Sequence, residues 1–228
     1  MDKITRKNNC RVCGRSNFAK VLDLGKMPPA NSFLSKKDLS RPEEKFPLVV
    51  YFCNNCGLLQ LRDVVHPKFL YTNYDYMSSA SKPLADYLAK LGLELAAKFI
   101  KSKKDLVVDI GGNDGTLLAA IRDKCRVLNV EPANKITKLA RDREIETVND
   151  FFSEKLGRLI LKNHGPAKVV TANNVVAHID DLPDLFRGVK LLIGNDGVFV
   201  FDVHWVGNLV GDGGFDQIYH EHLCYFSL

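Results

Sequence analysis

The chain has 228 residues, with 32 Lys plus Arg against 27 Asp plus Glu and a formal net charge of +5. Hydrophobic residues at 46% and charged residues at 26% exclude a wholly disordered chain, and no stretch reaches the ~18 uninterrupted apolar residues of a membrane helix. The charged start Met1-Asp2-Lys3-Ile4-Thr5-Arg6-Lys7 lacks the apolar centre of a secretory signal, so a cytoplasmic protein is expected. At roughly 150 residues per domain, the length suits one large domain or a medium one with a small appendage. Residues 1–45 hold eleven Lys or Arg and five Asp or Glu. That excess reads either as a solvated basic surface or as attraction for an anionic partner. Four zinc-bound thiolates would reduce it, which weakens a nucleic-acid reading.

The first motif is Cys10-Arg11-Val12-Cys13-Gly14, repeated in form as Cys53-Asn54-Asn55-Cys56-Gly57. A Cys-x-x-Cys turn brings two thiolates to one metal, and glycine after the second supplies the positive φ of such a knuckle. Cys10, Cys13, Cys53 and Cys56 together offer the closed tetrahedral sulfur set of structural zinc, although 39 residues between the pairs exceed the usual interval. Disulfides are the competing reading and suit a leaderless chain poorly. Cys125 and Cys224 read as ordinary buried thiols. Val21–Gly25 and Phe46–Phe52 are predicted strands, separated by the stiff loop Pro28-Pro29-Ala30-Asn31-Ser32-Phe33. A zinc-binding, β-rich domain is therefore expected over 1–70.

A connector follows, expected over 71–104. Its segment Tyr71-Thr72-Asn73-Tyr74-Asp75-Tyr76-Met77-Ser78-Ser79-Ala80-Ser81 is rich in hydroxyls. The tyrosines either pack domains together or present phenols to a polyhydroxylated or ketone-bearing ligand. Ser81 and Pro83 open a predicted helix whose apolar face is Leu84, Tyr87, Leu88, Leu91, Leu95 and Phe99.

Asp105–Ile110 reads as a buried parallel strand feeding Gly111-Gly112-Asn113-Asp114-Gly115 and a helix from Thr116. This strand, glycine turn and helix open a Rossmann-like α/β domain, expected over 105–228. Asp109 and Asp114 would repel a diphosphate and suit the cationic sulfonium and amino group of S-adenosylmethionine. Val127–Val130 ends at Glu131, twenty residues past Gly111, the place for a carboxylate that accepts from both ribose hydroxyls. Its competing role is a carboxylate at a helix N-terminus. A third strand near Glu146–Val148 leads to Asp150 and Phe151, a polar group and an aromatic for adenine. A fourth, Ala167–Ala172, ends in Asn173 and Asn174, and Asp196–Asp202 is the fifth. Ligands of open parallel sheets bind beyond the carboxyl ends of the strands, where these residues converge.

Carried by these motifs, together with Asn173-Asn174-Val175-Val176-Ala177-His178 and Phe215-Asp216-Gln217-Ile218-Tyr219-His220-Glu221-His222, the chain resembles the sugar C-methyltransferase family from Cys10 to Leu228. The resemblance implies a zinc-binding domain, then a class I methyltransferase sheet that binds S-adenosylmethionine, then a C-terminal domain helping to hold a nucleotide-linked keto-sugar. It also implies methylation of the carbon beside the ketone. A proton is removed from that carbon, and the enolate attacks the sulfonium methyl. On the matching positions, His222 is expected as base, oriented by Glu221, with Tyr219 and His178 near the sugar and Tyr74 or Tyr76 joining from the connector. His220 alternates in direction from Glu221 and is expected to face away.

The family continues well past Leu228, so the sheet is expected to be C-terminally truncated, its fifth strand exposed and its last domain absent or supplied by a separate chain. Two alternatives accompany the enzyme reading. One is an inactive cofactor-binding remnant or half of a split enzyme, and the other a zinc-ribbon nucleic-acid module. The second lacks interleaved aromatics, because only Phe18 and Phe33 lie in the basic stretch.

Overall fold

The short apolar runs flanking the two Cys-x-x-Cys turns are too small to build separate cores, and they assemble into one. The computed structural model describes residues 3–71 and 75–227 and divides into two units. The first unit comprises Met1–Tyr71, Ala177–Leu182 and Val203–Leu228. In it β1 (Ile4–Arg6) is followed by β2 (Phe18–Met27), β3 (Phe46–Cys53), β4 (Leu59–Leu61), β5 (Asp63–Val65) and the short α1 (Pro67–Tyr71). β1 pairs antiparallel with β5, while β2, β3 and β4 form an antiparallel sheet. Along β2 the inward positions Leu22 and Leu24 alternate with outward Val21 and Asp23, as the two-residue period of a strand requires. They pack on Leu48, Val50 and Leu61.

The second unit, Thr72–Val176 with Pro183–Asp202, is the α/β part. α2 (Lys82–Phe99) starts after Ser81 with Pro83 in its first turn. Then come β6 (Leu106–Ile110), α3 (Thr116–Ala119), β7 (Arg126–Val130), α4 (Asn134–Asp142), β8 (Thr147–Val148), α5 (Glu154–His164), β9 (Val169–Asn173), α6 (Leu182–Ile193) and β10 (Val198–Asp202). The five strands are parallel in the order β10-β9-β6-β7-β8. The first strand is therefore central, and the order reverses between β6 and β9, which makes the carboxyl ends of these two the ligand-binding switch point. β6 is buried at every position, its apolar run interrupted only by Asp109. Leu88, Leu95, Leu117, Leu118 and Ile121 close over it and over Val169. Tyr87, expected on the apolar face of α2, is instead half exposed, and its hydroxyl donates to Asp202. A phenol keeps its polar end near an acceptor.

The chain then returns to the first unit through α7 (Val206–Gly211) and β11 (Cys224–Tyr225). β11 pairs with β4, giving the order β11-β4-β3-β2, and Ile218 and Tyr225 complete that unit's core. Residues 177–182 and 203–228 thus group with the cysteine-bearing unit, where β11 fills the open edge of β4. Among the described residues β10 pairs only with β9, and Phe199 and Phe201 stack along it with ring centroids 5.0 Å apart. No helix among the described residues is long and apolar enough to cross a membrane.

Candidate functional site

The β2–β3 hairpin explains the long interval between the cysteine pairs. Phe18, five residues after Cys13, stands opposite Cys53 in the antiparallel register, so the hairpin returns the second knuckle to the first. The four Sγ atoms lie within 4.8 Å of one another, with Cys10 to Cys56 at 3.5 Å and Cys13 to Cys53 at 3.6 Å. Tetrahedral zinc with sulfur ligands at 2.3 Å separates its sulfurs by about 3.8 Å, whereas a disulfide bond is about 2.05 Å long. All four cysteines are free thiols, so the cage fits zinc. Gly14 and Gly57 take φ of 70° and 78°, and each donates its N–H to the carbonyl of the first cysteine in its knuckle. Burial pushes the Cys10 thiol up, but N–H groups of Cys13, Val12 and Gln60 outweigh it and bring the thiol down to about 7. Gln60 donates to that sulfur at 3.1 Å, a contact that spacing alone does not reveal.

In the α/β unit, Asp109, one residue before the end of β6, is almost fully buried. Its Oδ1 accepts from the Thr171 hydroxyl at 2.7 Å, and burial raises its carboxyl to about 6. At Gly112 a Cβ would stand 2.6 Å from Asp109 Oδ2, so only glycine leaves the backbone clear beside that carboxylate. In this unit three buried polar atoms of the described residues have no hydrogen-bond partner: Asn129 Oδ1 and both amide atoms of Asn173, at the end of β9. Glycine cradle, carboxylate and unpaired amides at the switch point fit a small polar cofactor of the kind S-adenosylmethionine is.

Other expected cofactor residues also make hydrogen bonds within the unit. Asp114 is fully buried, accepts from Thr116 at 2.6 Å and from the Ser79 N–H at 3.2 Å, and lies 3.4 Å from Arg143. Asn113, with φ of 52°, accepts from the Ser78 N–H and donates to the Tyr76 carbonyl, which ties the connector to the glycine turn. Gly111 and Gly115 bound that turn with φ of 64° and 75°. Glu131 accepts from Ala133 N at 2.8 Å, ahead of α4, and from Asn113 N at 3.2 Å. It therefore already serves as the helix-terminal carboxylate, and burial raises it to about 7. Asn174, with φ of 55°, donates its N–H to Asp202. Asp150 and Phe151 lie exposed after β8, where Asp150 accepts from the Phe151 N–H.

The expected catalytic residues of the C-terminal motif gather in the first unit. His222 is 3% exposed, with Nδ1 2.8 Å from the Gln217 carbonyl and Nε2 2.9 Å from the Tyr219 hydroxyl. A carbonyl can only accept, so Nδ1 carries the proton and Nε2 presents its lone pair toward Tyr219. Burial, and then His204, lowers His222 to about 4, so the ring is neutral and its Nε2 unprotonated at neutral pH. His178 and His204 flank it, each with its ring centroid 5.0 Å away. Tyr71 Oη stands 3.1 Å from His178 Nδ1, with the two rings stacked. Glu221, 2% exposed, does not orient His222 as expected. Its Oε1 accepts from Asn31 at 2.8 Å, and the Gln217 carbonyl aligns the imidazole instead. His220 does face away, its Nε2 on the Phe46 carbonyl.

Of the connector tyrosines, Tyr71 meets a histidine. Tyr76 belongs to the other unit, and Tyr74 lies outside the described residues. The sequence alone singles out neither His204 nor Asn31, and names Tyr71 only among the connector tyrosines. His204 follows the carboxyl end of β10, a signal that could have found it, and Asn31 lies in the Pro-Pro-Ala-Asn loop, to which the sequence gives no task.

Comparison with known proteins places these observations. A family model for a zinc binding domain matches residues 10–71, and one described as a methyltransferase domain matches residues 80–228. The chain is 35% identical over 222 residues to the C-methyltransferase NovU of Streptomyces niveus, covering 97% of this chain and 53% of that protein. It thus spans about half the length of the curated relative it matches. Among solved structures, a S-adenosylmethionine-dependent methyltransferase from Clostridium acetobutylicum is 17% identical, covering 55% of this chain and 52% of that one with a TM-score of 0.44. The YcgJ protein of Bacillus subtilis is 15% identical, covering 63% of each chain with a TM-score of 0.48. With a methyltransferase domain matched over well more than half its length, behind a four-cysteine zinc-binding domain, the chain belongs to the methyltransferase family.

Proposed function

We propose that the chain carries the cofactor-binding and proton-abstracting parts of a S-adenosylmethionine-dependent C-methyltransferase whose substrate is a nucleotide-linked keto-sugar, methylated beside the ketone. The observation that supports it most is the His222 imidazole, held in one tautomer by the Gln217 carbonyl with its lone pair toward the Tyr219 phenol. A carbon acid needs such a base. The C–H proton passes to His222 Nε2, and the electron pair left behind spreads onto the ketone oxygen. Tyr219 and His178 are the groups we assign to hydrogen-bond that oxygen as its charge grows. Glu221, fixed by Asn31, is assigned to sugar hydroxyls. Bound S-adenosylmethionine supplies an electrophilic methyl group. Asp109, Gly112, Glu131 and Asn173 would hold it, with Phe151 beside the adenine. Zinc is assigned a structural task, since all four cage positions are cysteine. A reducing, cytoplasmic compartment suits those free thiols. The remaining sugar-nucleotide contacts are assigned to a further domain, in a longer form of the chain or on a separate one.

Deuterium exchange tests the reading. Incubated with a nucleotide-linked keto-sugar in D2O, the protein should wash deuterium into the carbon beside the ketone, and His222→Asn should not. The variant should bind S-adenosylmethionine within a few-fold of the parent, while turnover falls on the order of 10²–10⁴-fold, the usual share of general-base catalysis. Exchange that persists in His222→Asn and disappears in Tyr219→Phe would move the base to Tyr219. Absence of exchange in a folded, cofactor-binding parent would overturn the reading.

A further inference from the structure

Arg11 is the residue between the two cysteines of the first knuckle, yet its side chain is wholly buried. Its Nη1 donates to Gln60 Oε1 at 3.1 Å and to the Leu61 carbonyl at 2.5 Å. The rest of the guanidinium is given to Asp180, with Nε at 3.0 Å and Nη2 at 2.9 Å from the same carboxylate oxygen. Lys7 takes the other oxygen at 3.0 Å and also donates to the Asp180 main-chain carbonyl at 3.0 Å. One side chain and one carbonyl thus receive both cations that flank Cys10 on the knuckle. A planar guanidinium hydrogen-bonded through several of its donors fixes direction as well as distance.

Asp180 is two residues beyond His178. The same short segment is held at its start by the Leu223 N–H, which donates to the Ala177 carbonyl at 2.8 Å, and the His178 ring is met by Tyr71. Residues 177–182 leave the α/β unit's chain path to join the cysteine-bearing unit, and Asp180 carries a carboxylate to the knuckle.

We propose that Asp180 is a positioning residue that fastens the His178 segment to the first zinc knuckle, so that the metal cage sets the placement of the His178 ring. The cage thereby has a task in the site beyond holding its own strands together. The importance of the segment rests on the reading of His178 as a substrate-facing group. The fastening itself is read from the ring and not from turnover, so the two can fail separately.

The test uses the full zinc-loaded chain with 15N-labelled histidine. Asp180→Asn should keep its zinc and its far-ultraviolet spectrum while shifting the His178 ring nitrogen resonances, as the Tyr71 hydrogen bond at Nδ1 loosens. Exchanging zinc for the larger cadmium ion, which widens the cage without emptying it, should move His178 in the same direction, and in Asp180→Asn should move it less than half as far. Lys7→Met, which removes one of the two cations, should give a smaller shift of the same sign. Where a keto-sugar turnover can be read, kcat in Asp180→Asn should fall by up to about 10²-fold with S-adenosylmethionine affinity unchanged, the scale of a ~1 Å misplacement. Unmoved His178 resonances in Asp180→Asn overturn the proposal. So does an equal effect of cadmium exchange in parent and variant, because the coupling then bypasses Asp180. If Asp180→Asn does not fold, Lys7→Met decides alone: an unchanged His178 ring in the folded variant overturns the fastening.

Discussion

Glu131 shows how one carboxylate is pulled between local structure and chemistry. It is 5% exposed and accepts two backbone N–H groups, yet burial still raises it from the ordinary 4.5 to about 7. The folded chain therefore holds this proton more tightly than the unfolded one. That contribution to stability is complete below pH 4.5 and disappears as pH rises through about 7, on the order of 3 kcal/mol across the window. Glu131→Gln should flatten the α/β unit's stability between pH 4.5 and 7, as hydrogen exchange at β6 and β7 would record. It should also weaken S-adenosylmethionine binding, because an amide replaces one acceptor oxygen with a donor. His222 has the opposite sign. Lowered from 6.5 to about 4, it contributes fully above pH 6.5 and ceases to contribute as pH falls through 4.

At the scale of elements, the knuckles and the β2–β3 hairpin depend on each other. The hairpin brings Cys53 back to Cys13, and the cage closes a sheet whose β2 is mostly exposed and buries little of its own. Structural zinc supplies much of the folding free energy of so small a unit. Cys53→Ser should therefore release the metal and abolish exchange protection in β2, β3 and β4, while the parallel sheet β6–β10 keeps its protection. Metal content and protection both unchanged would refute the four-cysteine site. The glycine turn after β6 is a second such element. Asn113 and Asp114 bind the connector to it, so residues that looked like ligand contacts in the linear pattern spend their polar atoms on the fold.

For the whole molecule, the main consequence is that the cysteine-bearing unit is discontinuous. All four cysteines precede residue 71, but Ile218 and Tyr225 lie in that unit's core, and β11 covers the edge of β4. Burying two such side chains stabilises by about 1.5–3 kcal/mol each. A chain ended after Asp202 should hence show weaker zinc retention and lower protection in β3 and β4, although no ligand or knuckle residue is removed. Its α/β unit, complete within 72–202, should be unaffected. Charge also resolves at this scale. Five of the eleven basic residues in the N-terminal stretch are answered internally, with Lys3 on Glu44, Arg6 on Asp63, Lys7 and Arg11 on Asp180, and Lys20 on Asp23. Those pairings reduce the charge left for a phosphate backbone, which weakens the nucleic-acid reading.

What the sequence determined by itself was whatever short-range chemistry encodes. The knuckle spacing and its glycines, the strand before the Gly-Gly-Asn-Asp-Gly turn, the helix start at Ser81 and Pro83, and the acidic residue after the second strand are all fixed by neighbours a few positions away. The Tyr-His-Glu-His segment was legible as a motif, but which of its groups face one another was not. The alignment of His222 by a main-chain carbonyl and the pairing of Glu221 with Asn31, 190 residues earlier, depend on contacts that no local period records. The same holds for Asp180, an unremarkable acid in a loop until the fold sets it against a buried arginine of the zinc knuckle. Tertiary structure alone decided these. The energy of a buried polar group depends on who its partner is, and distant segments choose that partner when the chain returns to complete the first unit.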